Sequence, residues 1–503
     1  MNPKINRREF VKLASILPAS FFLPKILHQP PRVSSDPNTP NILIIVFDAL
    51  SAMNISFMGY PRETMPFLSQ LAEQATVYHN HYAGGNYTTP GTASLLTGTY
   101  PITNRGITRG KPMAREFKEK NIFHLFDGHY RLTYSHNPFV NTLQKQFIDD
   151  LDFLKDRRDL YLKSDWLITE LFSKDEDIAT VSWVQGIKKK SGYAYSLLLS
   201  FLYQHLEQGA FADQLKTFPR GLPYISSNSY YRLEDAIDWT HLELGMSPQP
   251  FLGYFHYLPP HKPYFTRREF TNAFKGDDFE HIVKANPING ADLTFRGKRR
   301  WYDEFILYVD AEFKRFFDLL ETSGLLENTW VFLTSDHGEQ FERGIQGHMT
   351  EMLYQPLVRI PLLVFEPGQT DRRDIYTPTS AVDILPTMLN IIENQIPSWC
   401  EGEVLPPYQT PKKGRSVFSF EAKGNGQFDP LTKATAMIVR DQYKLIYYFG
   451  YKELKREPLY ELFDIEEDPE ELNNLYQSKP NIASMLLEEL ESKIDESNQR
   501  YQG

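Results

Sequence analysis

The chain reads as an α/β protein with a large, mostly parallel sheet flanked by helices and a small antiparallel sheet at its C-terminal end. Two runs, Ile42 to Phe47 and Trp330 to Ser335, are apolar and rich in β-branched residues without alternation, the pattern of strands covered on both faces. Each run ends in acid, Asp48 in the first and Asp336-His337-Gly338-Glu339 in the second, and ligands of open α/β sheets gather beyond the carboxyl ends of strands. Further on, Ala434 to Val439, Lys444 to Phe449 and Glu461 to Ile465 read as short strands, followed by a charged helix from Asn481 to Ser497.

The composition bounds what such a fold can do. With 503 residues the chain is long enough for several compact units with substantial cores. Lys and Arg total 54 against 64 Asp and Glu, a net charge of −10, while hydrophobic residues make up 41%, which describes a folded, mildly acidic protein. No nucleic-acid partner is expected, because neutralising phosphates requires concentrated Lys and Arg. A single cysteine, Cys400, excludes an internal disulfide and any site built from paired thiolates, so a metal would be held by oxygen and imidazole. Cys400 lies far in sequence from the acid-bearing segments and reads as inert.

The N-terminus stands apart. Lys4, Arg7, Arg8 and Lys12 flank a short apolar run from Leu13 to Leu23, so residues 1–30 read as a signal peptide, too short to span a bilayer as a mature helix. The stretch Asn6-Arg7-Arg8-Glu9-Phe10-Val11-Lys12 resembles a twin-arginine export signal, which implies the twin-arginine export machinery as a partner and the periplasm or cell surface as destination. Residues 31–40, rich in Pro and Ser, read as a linker.

After the first strand, Met65 to Gln74 fits a helix and Val77 to Tyr82 a short strand. Asn86 to Gly98 then runs from a polar turn, Thr88-Thr89-Pro90-Gly91-Thr92, directly into an Ala93-Ser94-Leu95-Leu96 helix start. Backbone N–H groups and the positive end of the helix dipole would face an anion there, although a plain threonine cap with Pro in the first turn gives the same pattern. Asp336 and His337, adjacent at a strand end with Gly338 behind them, can both turn toward one divalent cation.

Together these segments resemble the sulfatase family of the alkaline phosphatase superfamily. The matching pieces are Ile44 to Leu50, Gly59-Tyr60-Pro61, Thr88-Thr89-Pro90 through Gly98, Pro260-His261-Lys262-Pro263-Tyr264 and Ser335 to Glu339. They continue in the same order with Gly347-His348, Arg359 to Leu362, Asp383 to Thr387 and Leu462 to Pro469. The resemblance implies an alkaline-phosphatase-like sandwich, with a catalytic domain at 41–395 carrying a variable insertion at about 106–249, and a C-terminal subdomain at 396–503.

The resemblance also implies roles. Asp48, Asp336 and His337 would bind a divalent cation that also contacts the nucleophile at Thr88, lowering its hydroxyl pKa and stabilising charge on the ester. His261 and His348 would hold the substrate anion or protonate the leaving group, with Lys262 beside them. Formylglycine-dependent relatives have Cys or Ser where Thr88 stands, followed by Pro-Ser-Arg. Threonine is not a precursor of formylglycine, and Thr92 lacks the bidentate donors of arginine, so no formylglycine is expected. A directly acting threonine resembles the phosphodiesterase, phosphonate hydrolase and lipid-headgroup transferase relatives, where it forms a covalent phospho-enzyme. One divalent metal ion is expected, with Mn, Mg, Ca and Zn all open, because Phe255 to His261 contains no acid to build a second cage. Glu339 is left unassigned, and Asp310 is read as structural.

The expected function is an exported, metal-dependent hydrolase or transferase acting through Thr88 on a phosphate-type ester: a small anionic ester, a lipid headgroup or an envelope polymer. Two other readings stay open, a sulfuric ester hydrolase working without formylglycine and a non-catalytic anion-binding protein. Tyr195 to Leu202 beside Lys188-Lys189-Lys190 offers a surface for peripheral membrane contact, or a helix packed on the main sheet. The acids at Glu466 to Glu471 read as a solvated turn.

Overall fold

A computed structural model of the protein describes residues 39–163, 212–225, 229–455 and 457–501. The expected leader at 1–30, most of the linker, and the segments from Lys188 to Lys190 and Tyr195 to Leu202 lie outside the described residues. No helix among the described residues is long and apolar enough to cross a membrane.

The two unalternating runs are neighbours in the middle of an eight-stranded sheet. Its order is β11 (Arg373–Ile375), β2 (Thr76–Tyr78), β10 (Leu362–Phe365), β9 (Thr329–Thr334), β1 (Asn41–Phe47), β8 (Phe251–Tyr257), β4 (Tyr130–Ser135) and β5 (Phe153–Leu154). Every adjacent pair is parallel except the two made by β10. Both faces of β1 are covered, which is why its sequence does not alternate. Leu43, Ile45 and Phe47 pack against Phe305, Val309 and Phe313 of the long helix Arg296–Thr322. On the other face, Ile42, Ile44 and Val46 meet Ala93, Leu95 and Leu96 of the helix Thr88–Thr97.

Two short ladders accompany the sheet, β3 (His81–Tyr82) with β12 (Thr379–Ser380) and β6 (Tyr161–Lys163) with β7 (Tyr230–Tyr231). The C-terminal part forms a four-stranded antiparallel sheet, β13 (Ser416–Glu421), β14 (Ala434–Arg440), β15 (Tyr443–Phe449) and β16 (Leu459–Asp464). Its strands alternate: Phe420, Ala436, Ile438 and Leu445 pack against Leu486 and Leu490 of the helix Pro480–Gln499. Met437, Val439 and Ile446 turn the other way, onto Leu353 and Leu357.

One expectation fails in this sheet. Glu471 is not solvated: only 2% exposed, it holds the fully buried Lys444 Nζ at 2.6 Å and accepts from Gln355 N at 2.8 Å. Alternation along β15 turns Lys444 inward, and a buried ammonium requires a carboxylate partner. Asp310 is structural, as read: its carboxylate accepts from Phe67 N at 2.8 Å and Leu68 N at 2.9 Å, capping the helix Pro66–Leu71, whose own N-cap residue Met65 offers no side-chain acceptor. Cys400 Sγ lies 3.5 Å from Gly98 O, and burial pushes its thiol up to about 12, which fits an inert side chain.

His81 on β3 gives the fold a measurable acid sensitivity. It is fully buried, with Nδ1 2.9 Å from Thr379 Oγ1, and burial depresses its pKa from 6.5 to about 3, with Arg415 adding to the effect. The unfolded chain therefore binds a proton between those values that the folded chain refuses, so this stability is fully present above pH 6.5 and lost as pH falls toward 3. In denaturant titrations, His81→Gln should flatten the fall in stability below pH 6.5 by up to about 1.4 kcal/mol per pH unit. An unchanged slope would contradict this.

Candidate active site

The parallel sheet delivers its polar residues to one edge. Asp48 follows β1 directly, and Asp336 follows β9 after Ser335. Ser335 Oγ ties the two strand ends together, accepting from Leu50 N at 2.9 Å and lying 2.7 Å from both Phe47 O and His337 O. Asp336 Oδ1 accepts from Ala49 N at 3.2 Å and His337 N at 3.0 Å, which leaves Oδ2 buried and without a hydrogen-bond partner. Asp48 Oδ1 is unpartnered in the same way.

The nucleophile candidate comes from the opposite layer. Thr88 is the first residue of the helix Thr88–Thr97, almost fully buried, with Oγ1 3.4 Å from His337 Nε2. The helix starts this close because Gly91 has no side chain: a Cβ there would lie 2.0 Å from Asp336 O. His337 Nδ1 is 2.9 Å from Gly338 O, a pure acceptor, so Nδ1 carries a proton and Nε2 faces Asp48 Oδ1 and Asp336 Oδ2, each at 3.5 Å. All four expected ligand residues, Asp48, Thr88, Asp336 and His337, thus converge.

Two further residues enter that the sequence reading left out. Asn137 Nδ2 donates to Asp48 Oδ2 at 2.6 Å and lies 3.3 Å from Thr88 Oγ1, while its Oδ1 caps the helix Pro138–Gln146 by accepting from Phe139 N at 2.8 Å. His256, on β8 level with Val46, turns onto the face covered by the Thr88–Thr97 helix. Its Nε2 is 3.4 Å from Asp48 Oδ2 and 3.7 Å from Asp336 Oδ2, and it has no hydrogen-bond partner. Ligand atoms of Asp48, His256 and Asp336 all lie within 4.8 Å of one another.

The electrostatics fit a divalent cation. Burial alone would raise Asp48, but His261, then His256 and His337, outweigh it and hold the carboxyl below its usual range. Asp336 is pushed up by burial and by the charge of Asp48. His337 is raised: burial opposes its proton, yet Asp336 and Asp48 win. Two facing carboxylates therefore favour the protonated form of His337, and a cation among them would neutralise both while leaving Nε2 free to coordinate.

The family model described as sulfatase matches residues 40–393, which span the eight-stranded sheet and Asp48, Thr88, Asn137, His256, Asp336 and His337. The chain belongs to the sulfatase family. A second model, N-sulphoglucosamine sulphohydrolase, C-terminal, matches residues 347–500. Choline-sulfatase of Rhizobium meliloti (strain 1021) is 24% identical over 472 residues, covering 87% of this chain and 83% of its own. A multifunctional alkaline phosphatase superfamily protein of Trinickia caryophylli is 24% identical over 307 residues, 51% of this chain and 57% of its own. The fold is similar to the crystal structure of a phosphonate monoester hydrolase of Agrobacterium radiobacter, with TM-score 0.64 and 18% identity over 91% of this chain and 96% of that one. This sulfatase-family chain is a hydrolase of ester bonds.

Beside the carboxylates, the sulfatase-family site has a wall of imidazole. The His348 ring centre is 4.3 Å from that of His337 and 5.0 Å from that of His261. His348 Nδ1 meets Glu339 Oε1 at 3.2 Å, which gives Glu339 the role that its sequence context did not reveal. His261 is partly buried, its Nδ1 2.7 Å from Lys262 O, and Lys262 is exposed. Gly347 clears their space: a Cβ on it would lie 3.2 Å from Glu339 Oε1 and 3.4 Å from Lys262 Nζ. Burial, followed by the neighbouring His337, His261 and Lys262, pushes His348 well below the usual imidazole range, and burial also lowers His261. A negative charge placed among these groups would favour their protonated forms.

Replacing Gly91 tests the close approach of the two layers. Alanine favours a helix by about 1 kcal/mol over glycine, yet here its Cβ would strike backbone that cannot rotate aside. Gly91→Ala should lower stability by about 1–3 kcal/mol in denaturant titrations. A stabilised variant would contradict the contact.

Proposed function

We propose that the protein is an exported, metal-dependent hydrolase of phosphate-type esters in which unmodified Thr88 is the nucleophile. The observation that carries this reading is the placement of Thr88 Oγ1 at the head of its helix, 3.4 Å from His337 Nε2 and 3.3 Å from Asn137 Nδ2, facing the Asp48 and Asp336 carboxylates. Asp48, Asp336, His337 and Thr88 would hold one divalent cation, which supplies a lowered hydroxyl pKa and positive charge for the non-bridging oxygens of the ester.

The chain's own groups do the rest. Asn137 orients Thr88 Oγ1 while also bonding Asp48, so nucleophile and acid keep a fixed separation. His261 and Lys262 receive the anionic ester at the open side of the site. Thr88 gives up its hydroxyl proton to solvent, its Oγ attacks phosphorus, the bond to the leaving oxygen breaks, and that oxygen takes a proton from His348, whose Nδ1 is oriented by Glu339. Water or an acceptor alcohol, passing its proton to His348, then attacks the phosphothreonine, the bond from phosphorus to Thr88 Oγ breaks, and that oxygen takes up a proton from solvent to regenerate the hydroxyl. Where formylglycine-dependent relatives have an arginine, this chain has Thr92, a buried hydroxyl in place of bidentate cationic donors. The N-terminal pattern supports export by the twin-arginine route, and a lipid headgroup or envelope polymer suits that compartment.

Sulfate-ester hydrolysis is the second reading, favoured by the choline-sulfatase relative. A panel of phosphate diester, phosphonate monoester, phosphate monoester and aryl sulfate, run on metal-reconstituted protein beside Thr88→Ala, separates the two. Diester or phosphonate turnover should dominate and fall at least about 10³-fold in the variant. Dominant sulfate cleavage, or a variant that keeps its turnover, would overturn the proposal.

A further inference from the structure

His256 is not among the residues required for the threonine reaction, yet it is the most unusual side chain in the site. It is a fully buried imidazole on a central strand whose other residues are Phe251, Leu252, Gly253, Tyr254, Phe255 and Tyr257. A polar ring in such a place costs stability unless it is paired. One of its nitrogens is: Nδ1 lies 2.9 Å from Tyr254 OH, two residues back on the same face of β8. The other, Nε2, has no hydrogen-bond partner and points between Asp48 Oδ2 and Asp336 Oδ2, at 3.4 and 3.7 Å.

Those separations match the spacing of ligands around one small cation. With ligand bonds of about 2.1 Å, neighbouring donors stand about 3.0 Å apart in an octahedron and about 3.4 Å apart in a tetrahedron. His337 Nε2 meets the same two carboxylates at 3.5 Å and Thr88 Oγ1 at 3.4 Å, so both imidazoles face the acid pair, and ligand atoms of His256, Asp48 and Asp336 lie within 4.8 Å of one another. The phenol of Tyr254 fixes the ring from the far side, the arrangement by which proteins orient a ligating imidazole.

We infer that His256 is a ligand of the cation and that its imidazole, together with that of His337, makes the site select a borderline transition metal over calcium or magnesium. The inference rests on the metal-dependent reading above and adds the class of metal to it. Calcium and magnesium take all-oxygen shells, whereas two imidazoles with carboxylate and hydroxyl oxygen follow the order in which zinc exceeds manganese. No carboxylate or amide oxygen stands where His256 does, so a hard cation would have to accept its nitrogen or leave Nε2 orphaned.

The test is metal competition on the full chain, with metal content as the readout. Protein stripped with a chelator is dialysed against equal concentrations of calcium, magnesium, manganese and zinc, and bound metals are counted by mass spectrometry, for the native chain and for His256→Gln. The native chain should hold one equivalent, mostly zinc, with zinc exceeding calcium and magnesium by at least about tenfold, and His256→Gln should reduce that ratio about tenfold or more. The native chain loaded with cobalt(II) provides a second readout, independent of whether the variant folds: imidazole-bound cobalt should absorb in the visible more strongly than hexaaqua cobalt.

One equivalent dominated by calcium or magnesium would overturn the inference and leave metal dependence standing. A variant with the native ratio would show that His256 is only a charge partner of the two acids, and would also overturn it. A native chain that binds none of the four metals would remove both the inference and the metal-dependent reading.

Discussion

Two carboxylates that face each other in the dry interior, Asp48 and Asp336, set the terms for everything built around them. Each ends a strand in the middle of the sheet, and neither can retreat to water, because both strands are covered on both faces. Their free oxygens, Asp48 Oδ1 and Asp336 Oδ2, find no protein donor. Left alone, such a pair resists double ionisation and draws protons onto its neighbours, as the raised His337 shows. The surroundings read as answers to that charge: His337 and His256 face it with nitrogen, Asn137 donates to it, and the helix beginning at Thr88 points its positive end toward it.

The second layer of the site depends on the first. Gly91 and Gly338 have backbone oxygens where a side chain would be, Asp336 O and Pro356 O, so the loop that carries the acid is pressed between the nucleophile helix and the helical turn Gln355–Val358. Glu339 follows directly in chain order, and its carboxylate reaches back to His348. The same turn thus fixes a metal-facing acid, a candidate ligand and the partner of the candidate proton donor. That compactness supports the proposal that the site works through unmodified Thr88, since positioning and charge dominate this type of chemistry.

Much of this was legible in the sequence, for physical reasons that also mark where legibility ended. β1 and β9 declare themselves because strands buried on both faces have to be apolar throughout, and the first acid beyond each becomes conspicuous. The helix at Thr88 declares itself through its turn chemistry. His256 does not, because one imidazole in an apolar strand becomes a site residue only through a register that places it level with Val46 and on the nucleophile side of the sheet. Asn137 lay in a stretch with poor family likeness, and its side chain serves as an ordinary helix cap as well as a site residue. β13, edged by Lys412, Lys413 and Gly414, carried too short an alternation to stand out. Glu471 looked solvated because its partner Lys444 lies on a different strand and turns inward only once β15 is placed.

The central claim is that Thr88 itself becomes covalently attached to the substrate. The stereochemical course at phosphorus tests this most directly, using a chiral phosphorothioate diester hydrolysed in heavy-oxygen water. Attack by Thr88 followed by attack of water consists of two in-line displacements, so the account predicts retention of configuration. Inversion would mean a single displacement by water, with Thr88 holding the cation or the substrate instead of bonding to it.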